Sequence, residues 1–148
     1  MGAEAAIRGE NFVFTLRVDR YVAPQLTSGS DANWLHGAVE LEISTVGSYR
    51  ASQQVSPFAS DLEAFRDELR ALDRDLTGTA TLAHLEGEFE VTIALESGKG
   101  TLSGYVREHI GPRLQFDEIK TDQTYVNAAL KQFEALTAAF PVRGDPAA

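Results

Sequence analysis

From Asn11 to Val18 the chain alternates. Phe12, Phe14, Leu16 and Val18 fall on one side and Val13, Thr15 and Arg17 on the other, which is the period of a half-buried strand. The alternation breaks at "APQLTSGSDAN", where Pro24, Gly29 and the Asp31/Asn33 pair supply turn chemistry. A second strand is expected from Trp34 to Ser44. Leu35, Gly37, Val39, Leu41 and Ile43 form its apolar face, and Trp34, His36, Ala38, Glu40 and Glu42 the other. Gly47-Ser48 reads as a hairpin turn into a weaker strand, "YRASQQV".

The period then changes. Phe58, Leu62, Phe65, Leu69, Leu72 and Leu76 are spaced 4, 3, 4, 3 and 4, one apolar stripe on a helix. Ser60 with Glu63 forms a capping-box pattern near its start, Pro57 also suits a first turn, and Thr77-Gly78 is the expected stop. The other face, with Glu63/Arg66 and Asp67/Arg70 as i,i+3 pairs, reads as solvated. Strands return in "TATLAHL" and in "EFEVTIALE", where Phe89, Val91, Ile93 and Leu95 face in and Glu88, Glu90, Thr92 and Glu96 face out. Ser97 to Gly100 is a hairpin turn, followed by "TLSGYVREHI" and "RLQFDEI", with Gly111-Pro112 between them. After Asp122 the helical period resumes through Val126, Leu130, Phe133, Leu136 or Thr137, and Phe140. Thr121 or Asp122 caps this helix, Pro141 ends it, and residues 142–148 are expected to be a flexible tail. The order β-β-β-α-β-β-β-β-α implies one α+β domain over 1–148: a mainly antiparallel sheet packed on one face by two amphipathic helices.

Composition narrows the class. Of 148 residues 43% are hydrophobic and 24% charged, an ordinary balance for a globular chain. No apolar run approaches the roughly 20 residues that span a bilayer, and "MGAEAAIRGE" has neither the layout of a signal peptide nor the Ser or Thr of a myristoylation signal. The absence of cysteine removes disulfides, thiolate metal sites and thiol nucleophiles. A cytoplasmic protein is expected. Lys plus Arg is 13 against 22 for Asp plus Glu, a net charge of −9. That field disfavours nucleic acid and anionic membrane and favours a basic partner.

Catalytic templates are missing. There is no G-x-S-x-G and no H-E-x-x-H. His36, His84 and His109 are far apart in sequence, with no second histidine at i+2 or i+4, so no local metal clamp is expected, nor a cofactor. "ESGKGT" is a hairpin and not a phosphate loop. An enzyme would need these histidines clustered with carboxylates in a cleft. What stands out is the sheet face turned away from the helices: Glu40, Glu42, Glu88, Glu90, Glu96, Tyr105, Arg107 and His109, with carboxylates in the majority. Glu40, Glu42, Glu88, Glu90 and Tyr105 are the candidate partner-binding residues, an acidic surface with an aromatic anchor.

Two stretches carry a resemblance. "DANWL", Asp31 to Leu35, follows a strand ending in "RYVAP". Asp122, Gln123, Thr124 and Tyr125 open a last helix that closes in Phe140-Pro141. In this D-x-N-W-L and D-Q-[ST]-Y…F-P pattern the chain resembles the WapI-type immunity proteins of bacterial contact-dependent toxin systems. The resemblance implies a small cytosolic, non-enzymatic protein that binds and neutralises a toxin domain, typically a nuclease. It assigns no catalytic residue. The signature residues Asp31, Asn33, Trp34, Asp122, Gln123 and Tyr125 read mainly as determinants of shape: Asx bonds in a turn, a tryptophan pinning the strand start, an acidic helix cap. A homodimer is compatible with this reading. The alternative is a small-molecule-binding or accessory module with a pocket between sheet and helices near Trp34.

Overall fold

The computed structural model describes residues 2–108 and 111–145. Eight strands and two long helices follow one another: β1 Ala3–Gly9, β2 Phe12–Tyr21, β3 Leu35–Ser44, β4 Ser48–Val55, α1 Ala59–Asp75, β5 Gly78–Ala83, β6 Phe89–Glu96, β7 Lys99–Arg107, β8 Arg113–Asp122 and α2 Gln123–Ala139. A 3-10 turn, Ser30–Asn33, precedes β3. The α+β class is as expected. The strands, however, form two four-stranded sheets, β1-β2-β3-β4 and β5-β6-β7-β8, every neighbouring pair antiparallel. The strand order also gains β1, whose "AEAAIRG" has Ile7 alone of the β-branched and aromatic residues that mark a strand.

The two sheets turn their apolar faces to each other. The Phe14 and Phe89 rings lie 5.8 Å apart and those of Phe12 and Phe116 4.8 Å apart. One continuous core draws on both sheets and both helices. Close approach of backbones fixes one glycine. The β2–β3 register shifts between Val18 and Arg20, and a Cβ on Gly37, the partner of Val18, would run into the Arg17 carbonyl oxygen.

The helices close the remaining side. α1 buries Ala59, Leu62, Phe65, Leu69 and Leu72, and α2 buries Val126, Ala129, Leu130, Phe133 and Leu136. Phe65 meets Phe133 edge to face at 4.9 Å. The Ser60/Glu63 capping box does not form: α1 begins at Ala59 with Phe58 in the cap position, so Ser60 already lies inside the helix, and the Glu63 carboxylate accepts the N–H of Val142 at 2.9 Å. α1 ends at Asp75 and is capped by Leu76, in the left-handed region at φ 62, just before the expected stop. At the start of α2 the Asp122 carboxylate accepts the N–H groups of Thr124 and Tyr125, at 2.8 and 3.3 Å. The polar face of α1 is partly consumed by α2. Arg70 bonds Glu134 at 3.1 Å as well as Asp67 at 3.2 Å, and Arg66 pairs with Asp67 at 2.9 Å instead of with Glu63.

Candidate functional site

The period of two, which orients side chains, also decides where the candidate acidic residues go. Glu40 and Glu42 project from β3 on the outer side of the first sheet, opposite Thr15 and Val13 of β2 and Ser52 and Arg50 of β4. With those neighbours they line a cleft of about 300 Å³. Glu90 and Tyr105 are cross-strand partners on the outer side of the second sheet. The sheets face each other, so these two pairs point away from one another and the expected single acidic face is divided. Glu88 belongs to neither: its carboxylate accepts from Gln53 of β4 at 2.8 Å and so ties the two sheets together. Glu42 is paired with Arg50 at 3.4 Å. Arg107 lies at the end of β7, and His109 falls outside the described residues.

The other histidines stand apart. His84 is buried. Its Nδ1 accepts the Glu86 N–H at 3.1 Å, so Nε2 carries the proton and donates to the Ser56 carbonyl, 2.9 Å away. His36 lies 3.6 Å from Asp19 on the outer side of the first sheet. Among the described residues no group of three or more His, Cys, Asp and Glu converges as a metal site would. The larger described clefts lie between β4 and the ends of β7 and β8, between the end of α1 and the start of α2, and on the outer side of the first sheet, with a smaller one beside the starts of β2 and α2. Trp34 lines none of these. It makes an isolated bridge with Phe58 and meets that ring edge-on at 5.0 Å.

One signature residue, Asn33, is built into a cluster around a residue that sequence reasoning passed over, Arg143. Asn33 is fully buried, and a buried amide needs partners. It donates to the Gly29 carbonyl and the Arg143 carbonyl, both at 3.1 Å, and accepts the Arg143 N–H at 2.7 Å. The Arg143 guanidinium then bonds the carbonyls of Ala23, Pro24 and Ala32 and stacks 3.8 Å from the Tyr21 ring centre. Tyr21 donates its hydroxyl to the Pro141 carbonyl at 2.5 Å, and Gly29 donates to the Asp145 carbonyl at 3.0 Å. Burial raises the Tyr21 phenol above its ordinary 10.0; the Arg143 charge opposes this and the Glu63 carboxylate adds to it. Residues 142–145, expected as the start of a loose tail, are therefore strapped across the loop between β2 and β3. Asp31 is exposed in this turn and takes no share of these bonds. Gln123 anchors the start of α2 by donating its backbone N–H to Gly98 at 2.9 Å. Tyr125 stands beside Arg8, Phe12 and Glu42 along another cleft.

The fold and these surfaces define an antiparallel α+β protein whose C-terminal segment is clamped through Asn33 to the loop between β2 and β3. Residues 6–141 match the model of the Immunity protein WapI-like family, and the chain belongs to that family. Searches of curated proteins and of solved structures find no match. No helix among the described residues is long and apolar enough to cross a membrane.

Proposed function

We propose that this chain is a non-enzymatic immunity protein that binds a cognate toxin domain, a basic nuclease in the first instance, and neutralises it in the cytoplasm. Membership of the family over residues 6–141 carries the reading. The net charge of −9 supports it, because an acidic inhibitor is steered toward a basic partner over a distance that salt shortens. Recognition in this reading uses complementary surfaces in place of a reacting group. The small-molecule alternative has less support, since Trp34 packs on Phe58 and lines none of the clefts described above.

The test is co-expression with the toxin domain encoded beside the gene. Growth is expected to be rescued, and the purified proteins are expected to associate more slowly as salt rises from low to physiological strength. A toxin that is neither bound nor neutralised sinks the reading.

A further inference from the structure

Four edges bound the two sheets: β1 and β4 of the first, β5 and β8 of the second. In an antiparallel ladder alternate residues turn their N–H and C=O to opposite sides, so one fixed hydrogen bond orients a whole sheet. Ser44 donates to the Asn11 carbonyl at 2.9 Å, toward β2. Ile43, Leu41, Val39 and Gly37 therefore face β4, where they meet Tyr49, Ala51, Gln53 and Val55. Arg50, Ser52 and Gln54 are left with backbone groups aimed out of the sheet. The same alternation sends Ala6 and Arg8 outward on β1, and there both are used: the Ala6 N–H donates to Gln132 of α2 at 2.8 Å, and the Arg8 carbonyl accepts from Thr121 at 3.3 Å.

Each of the other two edges is met at one position. On β5 the Thr81 N–H meets the Glu68 carboxylate of α1 at 2.9 Å, and on β8 the Lys120 carbonyl accepts the Glu10 N–H at 2.8 Å. Among the described residues no hydrogen bond reaches the outward groups of Arg50, Ser52 and Gln54. β4 also has no proline, lysine or bulge, the devices that usually guard an edge. Beside it opens a cleft of about 430 Å³ whose lining includes Arg50, Arg107 and Arg113 against Glu108. Arg50 is already paired with Glu42, yet arginines outnumber carboxylates in this lining, on a chain whose net charge is −9.

We propose that β4 is a docking edge: an extended, carboxylate-bearing segment of the partner pairs with the outward backbone of Arg50, Ser52 and Gln54 and sets its acidic side chains toward the arginines of the cleft. Strand addition supplies the main-chain bonds and the arginines supply the choice of partner. A second copy of the chain is the other candidate occupant of an open edge, and the oligomeric state in the test below separates it from the acidic segment. For the toxin as partner, the proposal deepens the immunity reading and rests on it; the edge itself is testable without the toxin.

The probe is an extended peptide alternating threonine and glutamate, compared with its lysine counterpart, by fluorescence anisotropy. The acidic peptide is expected to bind, with the lysine peptide at least about tenfold weaker. Ser52→Pro removes an outward N–H without touching the β3 ladder, so it should abolish peptide binding while the circular dichroism stays unchanged. Arg113→Glu, the variant that needs no backbone change, should reverse the preference between the two peptides. Absence of peptide binding, equal binding of both, or indifference to the variants overturns the proposal; so does a wild-type dimer that Ser52→Pro dissociates, which would make a second copy the occupant. With the toxin domain, Ser52→Pro should weaken binding by at least about tenfold. Toxin binding that ignores β4 overturns the docking of toxin there and leaves the immunity reading standing, whereas a wild-type chain that binds the peptide and not the toxin ends the immunity reading alone.

Discussion

Arg143 shows how a single side chain near a terminus can be worth more than its position suggests. Its guanidinium satisfies three loop carbonyls while its own backbone is held by buried Asn33. Charged hydrogen bonds of this kind each contribute about 1.5–3 kcal/mol when made, and the carbonyls left behind are costly once water is excluded. Arg143→Ala is therefore expected to lower unfolding stability by about 2–4 kcal/mol. Arg143→Lys should recover little of it, because one ammonium cannot span carbonyls that a planar fork reaches together. Urea unfolding of the two variants checks this; a lysine variant as stable as wild type would mean that charge alone matters at this position. The asparagine was legible as an Asx residue in a turn. Its partner was not, since nothing local in "PVRGD" distinguishes a strapped segment from a frayed one, and residues 33 and 143 meet only through the whole fold.

At the scale of elements, the alternating strands and the spaced leucines and phenylalanines were readable because burial acts through fixed periods of two and 3.6. β2, β3, α1, β6 and α2 all follow from such patterns. β1 did not, because an edge strand of small residues packed under a helix needs few bulky side chains of its own. The division into two sheets was equally hidden: the period says which side of a strand is apolar, never which sheet completes it. Hence Glu40 and Glu90, both correctly turned outward, end on opposite sides of the molecule. The capping box failed because the helix starts at Ala59, ahead of Ser60, and Glu63 serves the Val142 N–H, a donor that local sequence does not show. Two helix side chains have an unadvertised task at this scale. Gln132 and Glu68 occupy outward N–H groups of β1 and β5. Gln132→Ala and Glu68→Ala should each cost about 1 kcal/mol, and the double variant should aggregate faster on mild heating, as uncovered edges do. Light scattering during a thermal ramp measures it, and unchanged scattering would show that the helices shield these edges by bulk alone.

Across the whole molecule, stability and recognition draw on different regions. The core that joins both sheets and both helices is one continuous cluster, centred where Phe14 of the first sheet meets Phe89 of the second. The acidic surface residues Glu40 and Glu42 and the outward backbone of Arg50, Ser52 and Gln54 on β4 lie outside it. Substitutions at Arg50 or Arg113 can therefore alter binding with the fold intact, whereas a change at Phe14 reaches every layer. Phe14→Ala is expected to remove about 3–5 kcal/mol, a large part of the about 5–15 kcal/mol typical of a domain. Because the sheets share this contact, the loss should leave unfolding cooperative. The chain's one tryptophan, Trp34, sits against Phe58 beside the first sheet, and its fluorescence reports that side alone, while circular dichroism reports both sheets and the helices. The two signals should cross their midpoints at the same denaturant concentration in wild type and in Phe14→Ala, with the variant shifted lower. Separate midpoints would mean that the β5–β8 sheet stands without the β1–β4 sheet.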